Sequence, residues 1–263
     1  LHRVDRRQRQ MCIRDRLWPL LETMRDRAIA FVPASGRQCT TLSTMFGSHL
    51  QGMPIIAENG TYVVRDGVDI SSSTIDPNLT REVITGVRQL RNDGHDVGLV
   101  VATKSIAYLE RGDDPFVSHV ATYYHSHRIV KDLSEHTDDV IKLSIYDFRE
   151  ASEATYPTMQ RTAPEHQVIL ATPNWVDIMN PGVNKGSAVE AVQRDLGVTA
   201  DQTAIFGDFL NDLEMMPMAK WSFAMANGHP NIVKASNYVA PPNTENGVIT
   251  VLAALLGTRV PIT

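Results

Sequence analysis

Apolar positions along the chain change period several times, and each change predicts an element. Leu17, Leu20, Leu21 and Met24 recur at helical spacing. Ala28 to Val32 is an apolar run of strand length that leads into Pro33-Ala34-Ser35-Gly36-Arg37, and Leu42, Met45 and Phe46 mark one face of a second helix. Pro54 to Ala57 reads as a buried strand that ends at Glu58-Asn59-Gly60. Helix and strand alternating in this way predict a parallel α/β sheet. The pattern is then interrupted. Asp66-Gly67 sits between Tyr62-Val63-Val64 and Val68-Asp69-Ile70, which predicts a hairpin because the turn needs positive φ. A helix over roughly 78–92, stopped by Asp93-Gly94, and strands over 97–102 and 140–146 follow. The alternation resumes with a strand at Gln167 to Ala171 and a helix that opens at Lys185, buries Ala188, Ala191, Val192 and Leu196, and closes at Gly197. Thr203 to Phe206 predicts a strand that runs into Gly207-Asp208. After it come a short helix to Met216, a strand over Ser222 to Met225, a helix over Pro230 to Ala235 and a last helix from Gly247 to Leu256.

The predicted class is α/β: a parallel sheet built from residues 17–61 and 171–263, interrupted by an α+β domain inserted over residues 62–170. Residues 1–16 fit neither part. The tract is crowded with arginine and shows no apolar period, so it reads as a disordered tail, a nucleic-acid-binding arm or a non-native sequence. It lacks interleaved aromatic residues, and it is similar to the translation of a sequencing-library adapter, which favours the non-native reading.

Composition narrows the function classes. At 263 residues, with 43% apolar and 21% charged, the chain has the balance of a globular protein able to bury a core. A net charge of −5 argues against a general nucleic-acid partner. Cys12 and Cys39 form no CxxC pair, so neither a zinc ribbon nor a disulfide framework is expected. No apolar run reaches membrane-spanning length and no signal peptide is visible, so the expected compartment is the cytoplasm, without a membrane partner.

Three places carry candidate chemistry. Gly207-Asp208-Phe209-Leu210-Asn211-Asp212 puts two carboxylates and an amide at the carboxyl edge of the predicted sheet, where hard oxygen ligands suit Mg²⁺; a capped helix start would use the same residues. Ser35-Gly36 follows a strand and precedes a helix, a ready anion site and equally a simple capped turn. Lys185 opens a helix, where its charge opposes the dipole, so an anionic partner or plain solvent must hold it. His125-Ser126-His127, beside Tyr123-Tyr124, reads as a solvated loop, a substrate contact or a metal site.

Taken together, these motifs resemble the haloacid dehalogenase (HAD) superfamily, with Ser35 in the second motif, Lys185 in the third and Gly207-Asp208-x-x-Asn211-Asp212 in the fourth. Wider phrases resemble the Cof-type sugar-phosphate phosphatases: Phe31 to Gln38, Ala57-Glu58-Asn59-Gly60, Asn180 to Gly186, Ala224 to Gly228 and Asn243 to Val248. The resemblance implies a Rossmannoid core with an inserted α+β cap, and Mg²⁺-dependent hydrolysis of small phosphorylated metabolites through an aspartyl-phosphate. It implies that Ser35, Gly36, Lys185 and Asn211 hold the phosphate, that Asp208 binds Mg²⁺ and that Asp212 orients Lys185 or a metal-bound water.

The family's first motif, Asp-x-Asp-Gly-Thr, supplies the nucleophile and the general acid, and it does not occur in this sequence. Asp5 and Asp15 are the nearest candidates; neither follows an apolar strand, and Asp15 lies too close to Ser35. The expectation is therefore a phosphatase by family whose chain as written lacks turnover. The alternative is a non-catalytic module that binds phosphometabolites.

Overall fold

The computed structural model describes residues 16–258; the tract over residues 1–15, with Asp5 and Asp15, lies outside them. Twelve strands are named among the described residues, and they form three sheets. Helix α1 (16–26) buries Leu20, Leu21 and Met24. An extended segment, helix α2 (Cys39–Phe46) and strand β1 (Pro54–Ala57) follow. The chain turns through Glu58, Asn59 and Gly60, all at positive φ, into the hairpin β2 (Tyr62–Arg65) and β3 (Val68–Ser72). Asp66 and Gly67, at φ 49° and 79°, make the predicted turn.

The hairpin does not start the insert. It folds back so that β2 pairs antiparallel with β1, Ile55 opposite Val64, giving the sheet β1-β2-β3. The insert then runs through α3 (Pro77–Asn92), β4 (Val97–Thr103), β5 (Ala107–Leu109), α4 (Asp114–Ala121), β6 (His127–Ile129), β7 (Val140–Asp147), α5 (Thr155–Thr162), β8 (Gln167–Thr172) and β9 (Trp175–Met179). Its sheet has the order β6-β5-β4-β7-β9-β8. By strand pairing, residues up to Ser72 share a sheet with β1, and the sheet of the insert ends with Met179. The apolar run at Gln167, read as a return to the core, is an antiparallel partner of β9.

Each insert element has a local cause. Asp76 caps α3 by accepting a hydrogen bond from the Asn78 N–H, with Pro77 in the first turn. Leu79, Val83, Val87 and Leu90 share one face of α3 and pack on Val97, Leu99, Leu143 and Ile145. The other face of the sheet carries Phe116, Tyr124, Tyr146 and Trp175.

The core resumes with α6 (Lys185–Leu196), β10 (Ala204–Gly207), the expected short helix as a 3₁₀ segment (Leu210–Met218), β11 (Trp221–Met225), α7 (Pro230–Ala235), β12 (Tyr238–Ala240) and α8 (Gly247–Leu255). β10, β11 and β12 form a parallel sheet. Helix α6 packs on β1–β3 and on the 3₁₀ segment that follows β10, and its Ala188, Val189 and Val192 share one buried cluster with Ile56 and Val63 of one core sheet and Ile205 and Ala224 of the other.

Residues 28–32 are not a ladder strand. The segment joins β1 through a single parallel bridge, Ala34 to Ile56. Pro33 has no N–H to donate, and no strand among the described residues pairs on the segment's far side or on the far side of β10. Even so, the two run alike. Phe31 and Phe206 face the α1–α8 cluster, whereas Val32 and Ile205 face α6. The core sheet is therefore divided between residue 34 and β10.

Candidate functional site

The divided edge and the insert enclose a cavity of about 170 Å³. From the core it is lined by Ser35, Gly36, Arg37, Asn59 and Asn211. From the insert it is lined by Tyr123, Tyr124, Lys142, Ser144, Trp175 and Asp177 among others.

The Ser35 loop is held by its own backbone. Ser35 N–H donates to the Ile56 carbonyl at 3.0 Å and Asn59 N–H donates to the Ser35 carbonyl at 3.0 Å. Arg37 N–H donates to Ser35 Oγ at 3.2 Å. A Cβ at position 36 would lie 2.8 Å from Asn59 Oδ1, so a larger residue there would have to displace the Asn59 amide. Arg37 places its guanidinium 5.1 Å from the Tyr123 ring centre and donates to the Thr122 carbonyl.

Lys185 is the first residue of α6, fixed by a capping box in which Ser187 N–H donates to Asn184 Oδ1 at 2.9 Å and Asn184 N–H donates to Ser187 Oγ at 3.1 Å. Its ammonium, buried, meets Asp212 Oδ1 at 2.6 Å. Asp212 Oδ2 accepts from the N–H groups of Asp208 and Phe209 at 2.9 and 3.3 Å. The acidic turn therefore folds around Asp212 and leaves Asp208 exposed, where Asn243 Nδ2 donates to its Oδ2 at 3.2 Å. Gly60 brings the Glu58-Asn59 turn against the start of α6: a Cβ on it would collide with the Asn184 carbonyl, beside the Lys185 nitrogen. Ser35, Gly36 and Asn211 thus line one cavity, while Lys185, Asp212 and Asp208 form the turn beside it and do not line it.

The insert contributes residues that the motifs did not single out. On β7 and β9, Ser144 stands opposite Asp177. Lys142, two residues before Ser144, points to the same face. Lys142 Nζ donates to the Gly36 carbonyl at 3.0 Å, lies 2.5 Å from Glu58 Oε2 as a charge contact outside hydrogen-bond geometry, and lies 3.9 Å from Asp177 Oδ2. Asp177 Oδ1 accepts from Ser144 Oγ at 2.6 Å and its Oδ2 accepts from Asn59 Nδ2 at 3.1 Å. Asn59 Oδ1 in turn accepts from Asn211 Nδ2 at 3.1 Å. Burial pushes the Glu58 carboxyl up, against the pull of Lys142, and nearby Asp177 adds to the rise. Burial draws Lys142 down, but Asp177 and Glu58 outweigh it and hold the ammonium charged well above the ordinary lysine range. The sequence signal for these residues was a lysine and a serine in the otherwise apolar strand VIKLSIY, and an aspartate in WVDIM.

The His125-Ser126-His127 segment docks through its backbone. His125 N–H donates to Thr41 Oγ1 at 3.1 Å, Ser126 N–H donates to Gln38 Oε1 at 3.0 Å, and His127 Nδ1 lies 2.9 Å from the Tyr124 carbonyl. No cluster of three or more His, Cys, Asp or Glu side chains able to hold a metal occurs among the described residues. No helix among them is long and apolar enough to cross a membrane.

A model of the haloacid dehalogenase-like hydrolases matches residues 8–252. The chain is 28% identical over 254 residues to a protein of Escherichia coli named 5-amino-6-(5-phospho-D-ribitylamino)uracil phosphatase, covering 94% of this chain and 91% of that one. It is 22% identical over 216 residues to a protein of Cronobacter sakazakii named HMP-PP phosphatase, covering 81% and 77%. A solved haloacid dehalogenase-like hydrolase from Bacteroides thetaiotaomicron shares the fold, with a TM-score of 0.80 at 20% identity over 92% of each chain. The chain belongs to the haloacid dehalogenase-like hydrolases, an enzyme family, and these two relatives are named as phosphatases.

Proposed function

We propose that the site is that of a Mg²⁺-dependent phosphatase of sugar phosphates or similar small phosphorylated metabolites, and that the chain as written binds such an ester without turning it over. The observation that supports the reading is that the Ser35-Gly36 loop and the Asn211 amide line one cavity, with Asp212, the next residue, paired to the buried Lys185 ammonium in the adjoining turn. In this reading the Ser35 hydroxyl, the Gly36 N–H, the Asn211 amide and the Lys185 ammonium bind the phosphate oxygens, and Asp212 orients Lys185. The residues from Ser72 to Met179 act as a cap that covers the organic part.

The donor set fits Mg²⁺ in a minimal way. Asp208 is exposed, and both oxygens of Asp212 are already engaged, so Asp208 is the acidic turn's available carboxylate. One carboxylate together with substrate phosphate and water suits this ion. When bound, Mg²⁺ would neutralise phosphate charge.

Attack on phosphorus is the missing step. The sequence has no Asp-x-Asp-Gly-Thr, and no strand lies between residue 34 and β10 among the described residues. Binding and charge neutralisation then remain without a nucleophile or a general acid. The test is to incubate the purified chain with p-nitrophenyl phosphate and MgCl₂, and in parallel to titrate it with inorganic phosphate by calorimetry. The expected result is phosphate binding that Lys185→Ala abolishes, with no release of nitrophenolate above background. Release at rates typical of an enzyme would overturn the lack of turnover, and failure to bind phosphate would overturn the site. A cytoplasmic location is part of the same reading.

A further inference from the structure

Two of the groups that the proposed site needs, Gly36 and Asn211, are held from the insert as well as from the core. Lys142 reaches across to the Gly36 carbonyl. Asp177 takes one amide hydrogen of Asn59, and the Asn59 carbonyl oxygen takes one of Asn211, so a carboxylate on β9 is joined to the acidic-turn amide through a single intermediary. Ser144 holds the other oxygen of Asp177 at 2.6 Å, which leaves that carboxylate no freedom to rotate away. The Asn59–Asn211 bond lies part-buried at the cavity wall, but both bonds of Asp177 are sheltered: Asp177 and Asn59 are each 5% exposed and Ser144 1%. A hydrogen bond in such a place has no water to replace it. Asn59 is itself at φ 58°, a conformation that asparagine tolerates better than most residues, so its side chain is aimed by the backbone turn.

Direction matters as much as distance. The amide of Asn59 is a donor toward Asp177 and an acceptor toward Asn211. Because Asp177 can only accept while ionised, it forces the Asn59 amide into the orientation that turns its oxygen to Asn211. Asn211 then spends one N–H on Asn59 and has a second for a ligand.

We propose that Asp177 and Asn59 are positioning residues for the phosphate site: docking of the insert orients the Asn59 amide, which orients Asn211, so that the cradle for a phosphate dianion is complete only while the insert is seated. The inference rests on the phosphate reading of the site. It assigns the insert a part in holding phosphate, in addition to covering the rest of the ester.

The test is calorimetric titration with inorganic phosphate, with the melting point of each variant taken first so that only folded protein is compared. Asn59→Asp sets two carboxylates against each other and removes the donor, and is expected to weaken phosphate binding about tenfold or more, a loss of about 1.4 kcal/mol. Adding Asp177→Asn exchanges amide and carboxylate across the pair. Every hydrogen bond then regains a donor and an acceptor, and affinity is expected to return to within about threefold of the unsubstituted chain. Ser144→Ala, which alters no charge, is expected to weaken binding about two- to threefold, and it carries the test alone if Asn59→Asp does not fold. Unchanged affinity in Asn59→Asp and Ser144→Ala, with binding still abolished by Lys185→Ala, overturns the coupling and leaves the site reading intact. A loss in Asn59→Asp that Asp177→Asn does not recover also overturns it, because the new charge and not the lost orientation would then be the cause. No phosphate binding by the unsubstituted chain overturns the site and this inference together.

Discussion

Lys185 and Lys142 are both buried, one in the core rim and one in the insert facing it, yet their surroundings differ in charge. Lys185 has one carboxylate, Asp212, whose second oxygen is filled by two backbone N–H groups. Lys142 has two carboxylates, Glu58 and Asp177, and Glu58 Oε1 has no hydrogen-bond partner among the described residues. The rim pair is balanced by itself. The facing cluster, with every group ionised, carries one negative charge in excess. A site that receives a dianion gains from a balanced ion pair beside it, whereas an excess negative charge close by is tolerable only if a proton neutralises it.

The strongest way to break this comparison is Lys142→Met. It strands Glu58 and Asp177 without a counter-charge, and a loss of about 3–5 kcal/mol is expected in urea unfolding at pH 7. Lys185→Met is expected to cost less, about 1–3 kcal/mol, since Asp212 keeps its two N–H donors. Equal losses in the two variants would show that the backbone donors do not stand in for the ammonium.

Titration separates the two sites further. The Glu58 carboxyl is raised in the folded chain, so its contribution to stability is full below the ordinary glutamate range and is lost as pH rises through the higher folded value. Urea unfolding from pH 4 to pH 9 is expected to show that falling arm in the unsubstituted chain. In Glu58→Gln the arm is expected to be flatter, with stability at pH 8 equal or higher. The smallest effect serves as a yardstick: Asp76→Ala, which removes the cap of α3, is expected to lower stability by about 1 kcal/mol with phosphate binding unaltered.

Much of the architecture could be read from local pattern. The α3 and α6 helices, with Gly197 at φ 65° closing the latter, lie where their apolar faces and stop signals put them, and so do strands β4 and β7. What failed depended on distant partners. The hairpin was visible in Asp66-Gly67, but nothing nearby says that it pairs with β1. Residues 28–32 had a strand's composition without a strand's neighbours. Within the site, Ser35, Lys185 and the acidic turn announced themselves because motif chemistry is contiguous in sequence. The Asn59–Asp177 bond joins residues 118 positions apart, and a buried aspartate in an apolar strand says only that some partner exists. Trp221 is 37% exposed and stacks on Tyr238, an aromatic pair whose members are 17 positions apart.

Helix α6 lies across the gap between the two core sheets and shares one buried cluster with both. It works as a splint: with no ladder among the described residues to clamp one half to the other, side-chain packing along three turns of helix sets their separation. Lys185 is mounted at the tip of that splint. Any slackening of Val189 or Val192 against either half would therefore be felt first as a displaced ammonium, long before the chain lost its shape.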